Sequence, residues 1–463
     1  MKGKEIQIWG KQKTIKALVL HTITARKELG DIMKNKKTRH IIAMGFTMFA
    51  AWFGAGNLIF PPYLGNMAGN QWLIGFIGFF VMDVGLALLS ALMAIGNRRG
   101  NVSGIVEKIG RIPGIVMVSL IMICIGPGLA IPRCAATTYE IGILPLFGEI
   151  NTWIFGAIFF AIVLVLTIRP AKIVDIVGNF LTPILLVVMI VLIVVGIVNP
   201  ISSMGDPVEG LVPLKEGLLQ GYQTMDGLGG FIPTFALVCA AAAYGYTDKK
   251  ETTKLLRHSS ILGAILLGLV YGGLTLLGAT TSGAAEYSGL EQAPLLILIT
   301  KTLLGTVGQT LLSITVLMAC LTTAIALTGA GADHFTKLFK GKVKQEYIVI
   351  VIVGFSYIVS NIGLTNIINV SAPILSVLYP PMIVLVVMTV FDDMLKNKHV
   401  AGFGAYAALA YSILEVFVLT PEMVAAVPLG TLGLGWIVPA IVGCVIGFFV
   451  KDPHWDDPVS EEA

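Results

Sequence analysis

Long apolar runs separated by short polar or charged segments cover almost the whole chain. A run of about 18 or more mostly apolar residues is long enough to cross a bilayer as a helix. The pattern predicts twelve transmembrane helices, near residues 41–62, 72–95, 114–139, 151–169, 172–198, 222–246, 259–283, 303–331, 346–361, 366–391, 400–420 and 433–450. It does not show the alternating ten-residue segments typical of an outer-membrane barrel.

Three polar regions flank or separate these runs. Residues 1–40 form a basic tail, which we expect to be cytoplasmic and to contain an amphipathic helix on the anionic leaflet. Residues 451–463 form a second tail. The stretch "AAEYSGLEQAPLLILITK", between the seventh and eighth spans, predicts an outer loop with a short amphipathic helix.

Two spans contain helix-breaking residues at mid-depth. The first span reads "FGAGNLIFPP" from Phe53 to Pro62, and the sixth reads "TMDGLGGFIP" from Thr224 to Pro233. Glycine and proline weaken or end helices, and a broken backbone is tolerated in a membrane only where it faces protein or a cavity. The two breaks lie five spans apart along the chain, an odd number, so the second unit would be inverted relative to the first. This pattern indicates an inverted-repeat secondary transporter.

The expected architecture is therefore all-helical, with discontinuous helices 1 and 6. Residues 41–198 form the first five-helix repeat, residues 199–391 the second, inverted repeat, and residues 392–450 helices 11 and 12.

Composition and charge agree with a membrane protein and orient it. Of the residues, 56% are hydrophobic and 13% are charged, where soluble chains are about a quarter charged. If the N-terminus is cytoplasmic, all but Arg133, Lys215 and Lys301 of the 31 basic residues lie on the inner side. The positive-inside rule thus predicts that both termini are cytoplasmic. No basic patch is interleaved with aromatic residues, so we expect no nucleic-acid partner.

The first break predicts two adjacent binding sites. A half-helix that ends near Phe53 offers unpaired carbonyl groups to a cation, and one that begins near Asn57 offers free N–H groups and a positive dipole end to a carboxylate. A kink that serves only helix packing is the alternative interpretation.

Ionisable residues inside spans are candidates for function by default. Asp226 could accept a substrate ammonium group, shape the break, or lie solvated near the outer mouth, and the Thr224 hydroxyl could do similar work. Asp83 could serve a proton, a cation or a buried interhelical bond. Arg133 could snorkel to the interface or pair with an acid such as Glu140.

On the eighth span, Ala319, Thr322 and Thr323 share one helix face. One carbonyl group and two hydroxyl groups are hard oxygen ligands that suit Na⁺. Hydroxyl groups bonded back to their own helix are the alternative.

Four motifs together resemble the bacterial branched-chain amino acid:cation symporter family: "FTMFAAWFGAGNLIFPPYLG", "GPGLAIPRCAATTYE", "GYQTMDGL" and "ACLTTAIALT". The resemblance runs from about Ile41 to Val450. It implies a leucine-transporter-type fold and Na⁺-coupled, in some members H⁺-coupled, uptake of leucine, isoleucine and valine into the cell. Asp83 departs from the resemblance, which leads us to expect a small neutral or hydroxyl residue there.

The resemblance also implies site residues. Na⁺, the coupling ion, would contact the carbonyl groups of Ala50 and Phe53 and the groups of Ala319, Thr322 and Thr323. The substrate carboxylate would meet the backbone at Ala55, Gly56 and Asn57. The substrate amine would meet Thr224, Met225, Asp226 and Gly227, and Met225 and Phe231 would form an apolar wall.

Other classes of protein are less well supported. The chain contains no HExxH, GxSxG or histidine cluster, which disfavours a membrane enzyme. It contains no repeated filter-like element of a channel. A transporter of the same fold for another amino acid or a nucleobase remains an alternative.

Overall fold

The computed structural model describes residues 36–54, 56–96, 102–168, 172–230 and 232–452. Within this part the chain is almost entirely helical, because its long apolar runs must satisfy their own backbone hydrogen bonds. The predicted tail helix, Ala55, Phe231 and residues 453–463 lie outside the described residues.

The described part of the chain contains the following α-helices, numbered in chain order. They are α1 (Lys36–Trp52), α2 (Gly56–Ala68), α3 (Trp72–Phe80), α4 (Leu86–Gly96), α5 (Val102–Val106), α6 (Arg111–Ile123), α7 (Ala130–Thr137), α8 (Leu144–Phe147), α9 (Thr152–Ile168), α10 (Lys172–Val198), α11 (Pro213–Thr224), α12 (Asp226–Gly229), α13 (Ile232–Ala243), α14 (Lys249–Ala279), α15 (Gln292–Leu338), α16 (Gln345–Ser360), α17 (Leu364–Thr389), α18 (Asp392–Leu395), α19 (Lys398–Phe417), α20 (Pro421–Ala426) and α21 (Ile437–Phe448).

These helices account for the predicted spans. By length and composition, six described segments could each cross a membrane: Gly56–Gly96, Arg111–Phe147, Lys249–Ala279, Gln292–Leu338, Leu364–Thr389 and Lys398–Phe417. Four shorter apolar helices lie at Thr152–Ile168, Ile184–Val198, Gln345–Ser360 and Ile437–Phe448. The first and sixth spans are each divided into half-helices, α1 with α2 and α11 with α13.

Several boundaries differ from the sequence prediction; for example, the seventh span begins at Lys249 rather than near residue 259, and the first ends at Ala68 rather than near residue 62. The sixth span begins at Pro213 rather than near residue 222, because α11 packs against other helices and does not need an apolar surface. The helix α15 starts at Gln292, but Gly305 has a non-helical backbone (φ 62°, ψ −160°). The segment before Gly305 is therefore the short helix that the sequence predicts in the outer loop, joined to the eighth span by a kink.

Packing partners repeat after a shift of five spans. The helices α1 and α2 of the first span pack on α14 of the seventh, and α11 of the sixth packs on α3 of the second. Likewise α10 of the fifth span packs on α15 of the eighth, and α17 of the tenth packs on α7 of the third. The fold is thus two related five-helix units, with α19 and α21 packed on each other and α19 packed on α17. The exact repeat boundaries, at residues 198 and 391, stay predictions.

Glycines allow the closest of these contacts. A Cβ atom added to Gly278 of α14 would lie 1.9 Å from the carbonyl oxygen of Pro62 in α2. A Cβ atom added to Gly217 of α11 would lie 1.9 Å from the carbonyl oxygen of Gly75 in α3. Because small residues let helix backbones approach closely in membranes, both half-helices are held tightly against a continuous neighbour.

A buried ion pair ties the turn before α6 to the end of the tenth span. The Nζ atom of Lys108 lies 2.7 Å from Oδ1 of Asp392 and 2.7 Å from Oγ1 of Thr389. The two charged residues are only 4% and 5% exposed. This pair anchors the segment between the second and third spans, at the opposite end of α17 from Leu364.

Candidate functional site

The first break is short and has ordered backbone on both sides. The helix α1 ends at Trp52, and the N–H of Phe53 still donates to the carbonyl oxygen of Phe49 at 2.9 Å. The next half-helix, α2, begins at Gly56, and the N–H of Asn57 donates to the carbonyl oxygen of Gly54 at 3.2 Å. The predicted interruption of the first span is confirmed.

The second break lies at Met225, directly after α11. Met225 has a left-handed backbone (φ 65°), a conformation that is uncommon outside glycine and often marks a functional site. Its carbonyl oxygen accepts from the N–H groups of Leu228 and Gly229, both at 3.2 Å, so one helical turn, α12, follows. Asp226 opens that turn and is partly exposed, whereas Thr224 and Met225 are buried.

The side chain of Asn57 brings the two breaks together. Its Nδ2 atom lies 3.0 Å from the carbonyl oxygen of Trp52 and donates to Oδ2 of Asp226. It also forms a hydrogen bond with the hydroxyl group of Tyr271 on α14. Asn57 is 1% exposed, so the first break faces protein and the second break rather than lipid. Asp226 does not lie solvated at the outer mouth.

Asp83 lies beside the second break. It sits in a π-helical turn, Val81–Gly85, between α3 and α4, and is 1% exposed. Its Oδ1 atom lies 3.0 Å from Oγ1 of Thr224, and its carboxyl group approaches that of Asp226. Its Oδ2 atom has no hydrogen-bond donor within the described part of the chain. The predicted interhelical bond is observed, and a role for Asp83 with a proton or cation stays a prediction.

Position 227 requires glycine, because neighbouring atoms occupy the space that a side chain would need. A Cβ atom there would lie 2.9 Å from the carbonyl oxygen of Met82 and 2.9 Å from Cε1 of Tyr379. Tyr379 in turn stacks on Tyr222 with ring centroids 4.2 Å apart. The turn α12 is therefore wedged between the second and tenth spans, and this packing holds Asp226 in place.

Arg133 lies in the centre of the site, where the sequence did not place it. It is 3% exposed, and its Nη1 atom donates to the carbonyl oxygen of Gln223 at 2.6 Å. Neither sequence interpretation holds: Arg133 does not snorkel, and Glu140 instead accepts from the N–H of Leu364 at 3.3 Å. The cause is the non-helical backbone of Gly126 (φ −104°, ψ −123°), which redirects the chain so that every residue of α7 is buried.

The predicted cation ligands come from two helices, α1 and α15. Ala319, Thr322 and Thr323 share one partly exposed face of α15, while Ala50 and Phe53 lie at the end of α1. The Oγ1 atom of Thr322 lies 3.1 Å from the carbonyl oxygen of Met318 and 3.0 Å from that of Ala319. The observed contacts of this hydroxyl group are thus within its own helix, and the Na⁺ site stays a prediction.

Comparison with known proteins agrees with this architecture. The family model described as "Branched-chain amino acid transport protein" matches residues 37–454. The branched-chain amino acid permease BrnQ of Bacillus subtilis is 33% identical over 434 residues, which cover 90% of this chain and 98% of the permease. BrnQ of Escherichia coli is 32% identical over 431 residues, with 91% and 96% covered.

A solved structure shares the fold at low sequence identity. The inward-facing conformation of Mhp1 superposes with a TM-score of 0.58 at 13% identity, covering 88% of this chain and 90% of that chain. This likeness supports a leucine-transporter-type fold with two inverted five-helix repeats. The chain belongs to the branched-chain amino acid transport protein family.

Proposed function

We propose that this chain is a cation-coupled symporter that carries leucine, isoleucine and valine into the cell by alternating access, with both termini cytoplasmic. The observation that carries the proposal is the hydrogen bond between Asn57 and Asp226. It places the two interrupted spans face to face inside a membrane-spanning bundle.

The two breaks together suit a zwitterion. An amino acid cannot cross hydrocarbon, because its charges would lose their water. In our proposal the N-terminus of α2, at Ala55, Gly56 and Asn57, takes the carboxylate. The segment Thr224–Gly227, with the partly exposed carboxyl group of Asp226, takes the ammonium group.

An apolar wall that includes Met225 would favour aliphatic side chains. One methylene group is worth only about 1–3 kcal/mol of discrimination. We therefore expect leucine, isoleucine and valine to compete with one another strongly, whereas polar amino acids compete weakly.

Inward transport against a gradient needs a driving ion. One charge moved across about 100 mV releases roughly 2.3 kcal/mol, which is on the order of a fiftyfold concentration ratio. We propose Na⁺, bound by the carbonyl groups of Ala50 and Phe53 and by Ala319, Thr322 and Thr323. Such an ion would link the first and eighth spans in the state that binds substrate, which coupling requires.

The carboxyl groups of Asp83 and Asp226 favour a second candidate, an H⁺-coupled symporter of the same fold. Two carboxyl groups that approach each other in a buried site favour holding one proton between them. Asp226 also contacts Asn57 at the first break. A proton gained or lost by this pair would therefore change hydrogen bonds at both breaks.

Uptake of labelled leucine into liposomes that contain the purified protein tests the proposal. We expect an inward Na⁺ gradient to accelerate uptake, and unlabelled isoleucine and valine to inhibit it. Acceleration by an inward proton gradient alone would favour the second candidate. Absence of leucine uptake under both gradients would contradict both.

A pair of matched variants tests the cation face. Thr322→Val removes a hydroxyl group at nearly constant volume, and we expect it to abolish the Na⁺ stimulation. Thr310→Val is the control, since this partly exposed threonine on the same helix also bonds back to its own helix, to the carbonyl oxygen of Thr306 at 2.9 Å. Equal Na⁺ stimulation in both variants would remove Thr322 from the cation site.

A further inference from the structure

The guanidinium group of Arg133 is buried without a matching negative charge in contact. The residue is 3% exposed. In the described part of the chain, the ion pairs join Lys108 to Asp392 and Lys398 to Asp452, and none includes Arg133. Removing a charge from water costs several kcal/mol unless a partner compensates. Asp226 acts on Arg133 electrostatically, but no carboxylate of the described residues forms an ion pair with it. The position of a direct anionic partner is therefore left for a ligand.

The protein contacts of Arg133 leave most of its donors unused. Its Nη1 atom caps the carbonyl oxygen of Gln223 at the C-terminal end of α11, and its guanidinium lies over the ring of Phe60, 5.4 Å from the centroid. A cation–π contact offsets part of the cost of burial. A guanidinium group carries five N–H donors, so one carbonyl group accounts for only one of them.

The opposite side of the guanidinium group faces the start of α2. A Cβ atom added to Gly56 would lie 3.1 Å from Nη2 of Arg133, so the charged group rests against the glycine backbone. The N-terminus of a helix carries a partial positive charge. Two positive groups placed side by side are unfavourable unless an anion binds between or beside them.

We propose that Arg133 and the N-terminus of α2 at Gly56 together bind the α-carboxylate of the transported amino acid. The inference rests on the proposed function, since it assigns a ligand group to the same site. In this arrangement Asp226 takes the ammonium group, because its carboxyl group carries the complementary charge and is held at the second break by Asn57, beside Asp83. The substrate thus lies with its two charges toward opposite residues, Arg133 and Asp226.

This arrangement makes a carboxylate obligatory for binding. Leucinamide keeps the side chain and the ammonium group of leucine but replaces the carboxylate with a neutral amide. A hydrogen bond to a charged partner is worth roughly 1.5–3 kcal/mol, which corresponds to about a 10- to 150-fold difference in affinity. We expect the wild-type protein to prefer leucine over leucinamide by at least this factor.

The test measures the affinity of the purified full-length protein for leucine and leucinamide by calorimetry. The variants are Arg133→Gln, Arg133→Lys and, as control, Arg111→Gln, which removes the same charge from an exposed position at the start of the same span. We expect Arg133→Gln to lose at least tenfold in leucine affinity while leucinamide affinity changes little. The leucine affinity of Arg133→Lys should lie between those of Arg133→Gln and the wild type, and the leucine affinity of Arg111→Gln should match that of the wild type.

The outcomes separate this inference from the proposed function. A wild-type protein that binds no branched-chain amino acid contradicts the proposed function. A wild-type protein that binds leucine, with Arg133→Gln binding it equally well and still rejecting leucinamide, overturns only the role of Arg133. If Arg133→Gln does not fold, Arg133→Lys decides, because an unchanged ratio of leucine to leucinamide affinity in that variant also overturns the inference.

A comparison of two buffers tests whether Arg133 binds the substrate carboxylate or an inorganic anion. Leucine affinity is measured in chloride and in gluconate buffers. If Arg133 binds the substrate carboxylate, the affinity is the same in both buffers. A requirement for chloride that disappears in Arg133→Gln, with the preference for leucine over leucinamide intact, would show that the site holds an inorganic anion and would refute the proposal.

Discussion

Replacing Asn57 with alanine should disconnect the two helix breaks. The substitution removes the donor that serves the carbonyl oxygen of Trp52, the carboxyl group of Asp226 and the hydroxyl group of Tyr271. A hydrogen bond to a charged group contributes about 1.5–3 kcal/mol, and a buried group left without its partner costs about 1–3 kcal/mol. Because the three contacts share two protons, we expect a combined loss of about 3–5 kcal/mol.

The assay compares thermal unfolding in detergent with leucine uptake into liposomes. We expect Asn57→Ala to lower the unfolding midpoint clearly and to abolish uptake. The control is Asn366→Ala, an exposed asparagine whose Nδ2 atom donates only to the carbonyl oxygen of Ile362 in its own helix, at 2.7 Å. Surface substitutions of this kind change stability by about 0.5 kcal/mol or less. If both variants unfold and transport alike, Asn57 does not join the breaks.

Three further substitutions test other parts of the structure. Gly278→Ala should destabilise the protein by about 1–3 kcal/mol or more, since the added Cβ atom would meet the carbonyl oxygen of Pro62. The control is Gly354→Ala, which has open space around the added atom and should unfold at the wild-type temperature or slightly above. Asp83→Asn should remove any acceleration of leucine uptake by a proton gradient and leave Na⁺-driven uptake in place; an unchanged response to the proton gradient would argue against a shared proton. Asp392→Asn should cost about 3–5 kcal/mol, because it removes the negative charge that compensates the buried charge of Lys108. Replacing both residues with apolar ones should recover most of the loss; thermal unfolding of the single and double variants measures both effects.

Local sequence signals were sufficient for the interruptions. Gly54 and Gly56 predict a break wherever the span lies, because their effect on a helix depends on backbone conformation rather than on neighbours. Pro61 and Pro62, by contrast, lie inside α2 and do not end it. The charge distribution and the length of the apolar runs likewise set the number of spans. These features are therefore readable from the sequence alone.

The start of the sixth span was not readable in this way. The segment Pro213–Thr224 contains Lys215, Glu216 and two glycines, so it has little apolar character. It is nevertheless a helix inside the bundle, because Gly217 packs against the backbone of Gly75 and the Nε2 atom of Gln220 donates to Glu216 at 2.6 Å. A half-helix that is surrounded by protein needs small residues and internal hydrogen bonds rather than hydrophobicity.

The depth of Arg133 was also beyond sequence reasoning. The length of the third span places this residue near the outer end, but the backbone of Gly126 departs from helical geometry and α7 then runs into the centre of the bundle. The neighbouring residues Pro127 and Pro132 were the available signal, since they resemble the breakers of the first and sixth spans. Only tertiary packing shows that Gly56 and Gln223 meet at the guanidinium group.

The most direct measurement is a cryo-electron microscopy map of the protein with leucine bound. The account predicts ligand density between the two breaks, with the carboxylate against Gly56 and Arg133 and the ammonium group toward Asp226. Leucine located elsewhere in the bundle, or continuous helices through Gly54 and Met225 in the leucine-bound state, would contradict it.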